Sequence, residues 1–79
     1  MMIVELIDGD DFRSRLQALD IRLPEHACPE TCARMAIRKH LEVGVPGLPA
    51  LIEELMAHTD VMLPSVRQAI ERFMLPALR

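Results

Sequence analysis

Seventy-nine residues, a formal net charge of −3 and a hydrophobic content of 51% narrow the classes at once. They predict one small domain over 1–79, too short for a second core. The acid excess argues against a general nucleic-acid coat or a binder of anionic membranes. No apolar stretch reaches the roughly 20 residues of a membrane-spanning helix. Trp and Tyr are absent, and Phe12 and Phe73 are the aromatic residues, so the core must be aliphatic. Positive mean hydropathy on so small a body points to burial against a second copy, a homodimer, or against a larger protein.

The charge is uneven. Residues 1–30 hold seven acids against three arginines, a balance of −4, while residues 31–79 hold six bases against five acids, a balance of +1. This leaves room for one basic face. Met1–Ile7 lacks a basic n-region and meets Asp8 at once, so it does not read as a signal peptide. A cytoplasmic location, with Cys28 and Cys32 reduced, is the expectation.

Met1–Ile7 is an apolar run rich in Ile and Val, read as a short strand before an Asp8-Gly9-Asp10 turn. Ile21–Leu23 is an intrachain candidate to pair with it, and the same strand of a second subunit is another. Asp10 or Asp11 is the expected N-cap of the first helix. There Phe12, Leu16 and Leu19 recur at i, i+4 and i+7, and the helix is expected to stop near Asp20.

Pro29 suits a first helical position. The second helix is predicted to reach Val43, with rows Ala33/Ile37/Leu41 and Cys32/Met35/Ala36 facing inward and Gly44 as its left-handed stop. Arg38, Lys39 and His40 fall in its last turns, where cations complement the helix dipole. Pro49 opens a third helix, in which Leu48, Leu51, Ile52, Leu55 and Met56 mark one apolar face. Pro64 opens a fourth, with Val66, Ile70, Phe73 and Met74 buried and Pro76 as its end.

Residues 55–73 read as helix, tight turn, helix. Met56, the Thr59–Val61 turn and Val66 occupy the places where two such helices lock together. Ser65, Arg67, Gln68 and Arg72 then lie away from the apolar side. Arg and Gln make the bidentate contacts that distinguish guanine and adenine in the major groove, and Ser65, Arg38 and Lys39 suit phosphates. Residues 61–73 (VMLPSVRQAIERF) resemble the recognition-helix signature of the GntR-type winged helix-turn-helix repressors, in which Val-Ser-Arg-x-Thr-Val-Arg-x-Ala-Leu is usual. The resemblance implies DNA binding by a dimer on two half-sites. Departures are plain: Asp60 stands in place of a turn Gly, Met62 in place of a capping Ser, and Leu63 in place of a DNA-contacting Arg. With six residues after Phe73, neither the two-stranded wing nor the ligand-sensing domain that the resemblance implies is expected.

Other chemistry reads weakly. His26, Cys28 and Cys32, with a distant His40 or His58, could be drawn as a zinc site, but the spacing is not a familiar one. A thiolate at a helix N-terminus could serve a redox switch, and a small core residue beside a near-cap residue accounts for the same pair. Asp8, Asp10 and Asp11 lack the later Glu of a calcium loop, and capping explains them better. No catalytic constellation stands out, so an enzyme, a cofactor or a metal is not expected.

The expectation is therefore a mainly α fold, a small four-helix domain containing a helix-turn-helix, with a short N-terminal strand. Two functions compete. One is a dimeric DNA-binding transcriptional regulator using Ser65, Arg67, Gln68 and Arg72, with Arg38 and Lys39 on phosphates of double-stranded DNA. The other is a protein-binding adaptor or inhibitor, of the type mobile elements encode, docking on a larger protein. The Arg67/Arg72 face separates them. A regulator needs it exposed and basic; an adaptor can have it salt-bridged to Glu71 or Asp60, or covered.

Overall fold

A computed structural model describes residues 6–78. Helix α1 (Gly9–Gln17) starts two or three residues earlier than the capping pattern suggested. Asp8, extended at φ −99°, accepts the Asp11 amide on its carboxylate at 2.9 Å. Asp10 and Asp11 therefore sit inside the first turn rather than at the cap, where their charge meets the positive end of the dipole. Each also holds an arginine: Arg13 lies 2.9 Å from Asp10 and Arg15 lies 2.8 Å from Asp11. Phe12 and Leu16 are fully buried on the opposite side, and Leu19 is half-buried. The chain leaves the helix through Asp20, at φ +64°, a left-handed conformation that a short polar side chain tolerates.

Helix α2 (Pro29–Val43) begins on Pro29, whose missing amide costs nothing in the first turn. It ends on Gly44 at φ +76°, a conformation that strains any residue with a Cβ. His40 adds a contact of its own: its ring Nδ1 accepts the Val45 amide at 3.0 Å, satisfying a donor next to the buried Val45 side chain. Arg38 turns to Glu42 at 3.4 Å.

Helix α3 (Leu48–Met56) buries Leu48, Ile52 and Leu55, the face its periodicity gave. Gly47 allows the entry, since a Cβ there would come within 2.8 Å of Leu19 Cδ2. A 3₁₀ turn (Thr59–Val61) then leads to an isolated parallel bridge between Ile7 and Met62. Ile7 donates to the Val61 carbonyl at 2.7 Å and accepts from the Leu63 amide at 3.0 Å. The expected N-terminal strand is thus, in its described part, this single bridge; Met1–Glu5 lie outside the described residues. Its mate is Met62 rather than Ile21–Leu23, and the buried Ile21 contributes its side chain to the core instead.

Helix α4 (Pro64–Ala69), a π turn (Ile70–Met74) and helix α5 (Leu75–Leu78) follow without a break. Pro76 does not end the helix as expected. A proline clashes with the carbonyl four residues back and leaves it without its donor. The wider turn just before it, closed by the Leu75 amide on the Ile70 carbonyl, moves the ladder to an i→i+5 spacing and absorbs that misfit.

The fold is mainly helical, and among the described residues it contains no strand beyond the bridge. The closest helix pairings are α2 with α4 and the π turn, then α1 with α2. Cys32, Ala33 and Ala36 of α2 and Ala69 of α4 are buried, and side chains this small let the backbones approach. Phe12, Leu16, Leu48, Ile52, Leu55, Val66, Ile70 and Met74 fill the space around that seam. A side chain of this size, fully buried, is worth about 1.5–3 kcal/mol. No helix of the described residues is long and apolar enough to cross a membrane.

Candidate functional site

Helix α4 and the π turn bury Val66, Ala69, Ile70 and Met74 and expose Ser65, Arg67, Gln68, Glu71 and Arg72. The polar side is the one its periodicity gave, but the structure divides it. Ser65, Gln68 and Arg72 line a groove against the start of α2, opposite Cys28, Pro29 and Glu30. Arg67 lies on the other flank, in a groove with Thr59, Met62, Pro64 and Glu71, and Gln68 borders both grooves. There its Nε donates to Glu71 Oε1 at 2.7 Å, with both side chains about half exposed. Exposed pairs of this kind contribute about 0.3–0.5 kcal/mol, so the bond itself is easily opened. The effect on the field is larger: Glu71 cancels the charge of Arg67 wherever the two point.

Arg38 and Lys39 sit on α2, in a separate groove with Asp20, Arg22, Met35 and Glu42. Arg34, one turn before Arg38, connects the two regions. Its guanidinium carbon lies 5.9 Å from the Phe73 ring centroid, and that of Arg72 lies 5.8 Å from the same centroid. Both distances are within cation–π range. Among the described residues neither Arg34 nor Arg72 makes an ion pair, in contrast to Arg13, Arg15, Arg38 and Arg67. Arg34 and Phe73 are site residues that the sequence reading passed over. The i, i+4 spacing of Arg34 and Arg38 was visible; the meeting of Arg34 with Phe73 across two elements was not.

The C-terminal turn of α2 also exposes apolar side chains. Leu41 is 70% exposed and Val43 68%, with Met35 at the margin. Leu41 was expected inside, on the Ala33/Ile37 row. A step of four residues turns about 40° past a full circle, so the row that starts in the core at Ala33 has rotated into solvent by Leu41.

The two cysteines part ways. Cys28 is exposed, with its sulfur 3.2 Å from the Thr31 hydroxyl; that hydroxyl and the Thr31 amide hold its thiol below the ordinary value. Cys32 is buried, donates to the Ala27 carbonyl at 3.6 Å, and is pushed up by burial. No group of three or more His, Cys, Asp or Glu among the described residues is arranged to hold a metal ion.

The path from α3 to α4 covers residues 57–63 and contains the 3₁₀ turn and the bridge. A helix-turn-helix joins its helices by a turn of about three or four residues. Here the connection is longer, and α4 rests mainly on α2. Compared with family models, curated proteins and solved structures, the chain matches none.

Proposed function

We propose that this chain is a small protein-binding module of the adaptor or inhibitor type, docking on a larger protein through the exposed side of α2 and the adjoining edge of α4. The observation that carries the reading is the pairing of Arg67 with Glu71 at 2.7 Å. It offsets, at its centre, the positive charge that a DNA-reading α4 would present. Arg38 is similarly answered by Glu42. A protein that loses much of its DNA affinity with added salt typically neutralises 6–10 phosphates, a rough guide to the cations required. This surface supplies Arg34, Arg72 and Lys39 without ion-pair partners among the described residues, beside a chain of net charge −3. Exposed Met35, Leu41 and Val43, spread around α2, instead provide apolar side chains that a partner wrapping this helix can cover.

The test is affinity capture from the native host lysate by the wild-type chain and by a Leu41→Asp/Val43→Asp variant, run beside a salt series on random-sequence duplex DNA. The expected result is a protein retained by the wild type and lost with the variant, reproduced with both proteins purified. DNA binding that weakens steeply with salt and fails in Arg67→Ala/Arg72→Ala, with no protein lost from the variant, would overturn the reading and restore the regulator.

A further inference from the structure

Among the described residues, four arginines have a carboxylate within 4.0 Å. Arg34 and Arg72 do not, although they come from different elements and approach the same Phe73 ring to within 6 Å. Placing two cations on one ring sets like charges near each other, and the ring's negative face offsets only part of that cost. Incoming anions would offset that cost at either guanidinium. Arg34 continues along α2 to Arg38, with Thr31 and Met35 lining the same groove. A second groove, lined by Arg72 and Phe73, carries Gln68 and Ser65, with Glu30 at its edge. The result is a strip linked through the Phe73 ring, on which Arg38 is shared with Glu42 and Glu30 stands at one edge, with Met35 and the half-buried Phe73 as apolar footholds.

From this strip we propose that the partner is engaged through an acidic amphipathic helical segment, whose carboxylates meet Arg34 and Arg72, and Arg38 by displacing Glu42, and whose apolar side chains rest on Met35 and Phe73. This deepens, and rests on, the protein-binding reading. The spacing supports a helix. Arg34 and Arg38 are four residues apart, about 6 Å along the axis, which is the separation of carboxylates four apart on a partner helix. Recognition of an amphipathic helix by such anchors is a recurrent mode of peptide binding. Charge selects the sign of the segment: strip and segment are complementary, whereas a basic segment would meet like charge.

The experiment is fluorescence polarisation with a labelled peptide of about sixteen residues built on the repeat Glu-Glu-Leu-Leu. It places acids four apart on a helix. The Lys-Lys-Leu-Leu counterpart and a labelled random DNA duplex serve as comparisons. The acidic peptide should bind the full chain, weaken as salt is raised, and lose roughly tenfold in affinity with Arg34→Ala/Arg72→Ala. Arg13→Ala, on α1, should leave binding unchanged. Arg34→Glu/Arg72→Glu should reverse the preference towards the Lys peptide, which guards against a variant that merely binds everything less. Circular dichroism confirms that each variant folds. Equal binding of both peptides, no binding of the acidic peptide at low salt, or displacement of it by duplex DNA with higher affinity overturns the proposal. The protein-binding reading fails separately. A captured partner that is lost with Leu41→Asp/Val43→Asp but kept with Arg34→Ala/Arg72→Ala leaves the module in place and removes only the acidic helix.

Discussion

Helix α2 meets α4 and the π turn that follows it in two ways, and the two meetings differ in kind. At the seam beneath, Cys32, Ala33, Ala36 and Ala69 are buried and small, and the tolerance for change is that of a packed interior. On the rim above, Arg34, Arg72 and Phe73 assemble at longer range, half in solvent, with no ion pair to Arg34 or Arg72 among the described residues. The difference teaches a division of labour: the seam fixes how far apart the helices stand, and that distance sets the spacing of the cations on the rim. Changes in the seam should unfold the protein or shift the rim, whereas changes on the rim should alter binding and leave folding alone.

The largest effect is expected beneath the seam. Phe12 is completely buried, and Phe12→Ala should cost about 3–5 kcal/mol, a large part of what a chain this size can hold. Chemical denaturation should show either a much lower midpoint or no folded baseline. Ala36→Leu asks the complementary question. Adding a branched side chain to a fully buried alanine should cost about 1–3 kcal/mol by overpacking. If α2 and α4 part to admit it, affinity for an acidic peptide should change as well, although no rim residue has been touched. Loss of stability below 1 kcal/mol with binding intact would break the proposed link between seam and rim.

A smaller effect tests the end of α2. His40→Ala removes the acceptor of the Val45 amide. Val45 is buried, so the donor loses its partner away from water, and the cost should be about 1–3 kcal/mol in thermal or urea melts. Smaller again is the coupling of Arg67 with Glu71. A double-mutant cycle of Arg67→Ala and Glu71→Ala should give about 0.3–0.5 kcal/mol, as for other exposed i, i+4 pairs. A coupling well above 1 kcal/mol would mean that this flank is more rigid and more dehydrated than its exposure indicates.

Much of the fold could be read from local pattern. Pro29, Pro49 and Pro64 open helices where proline's missing amide is harmless, Gly44 stops α2, and the 3.6-residue rhythm of Leu48, Ile52 and Leu55 located the core face of α3. What failed was decided by neighbours distant in sequence. Ile7 pairs with Met62, fifty-five positions away, and nothing in either segment names the other. Leu41 sits outside because the core ends before its row does, and Pro76 is carried by a π turn that has no signature in the sequence. Of the candidate site, Ser65, Arg67, Gln68 and Arg72 were correctly expected on the polar side of one helix. Its division into two flanks by Glu71, and its extension to Arg34 through Phe73, needed coordinates.

Cys28 and Cys32 place the same chemistry on the rim and in the seam, and they give the finest test of the contrast. The Thr31 hydroxyl and amide favour the Cys28 thiolate and lower its pKa, while burial disfavours the Cys32 thiolate and raises its value. For an acid lowered on folding, the associated stability is present above the unfolded value and is lost as pH falls through the folded value. For Cys32 the sign reverses: its contribution is intact below the ordinary thiol value and fades as pH rises past it, because the unfolded chain ionises first. Alkylation by iodoacetamide should therefore modify Cys28 with a pH midpoint below that of a free thiol. Thr31→Val, which keeps the amide but deletes the hydroxyl, should move that midpoint up. Cys32 should react only as the protein opens, so its rate should follow denaturant concentration rather than thiol ionisation. Equal rates at both positions under native conditions would show that the seam is open to solvent on the timescale of the reaction, and the rigid spacing attributed to it could not then set the geometry of the rim.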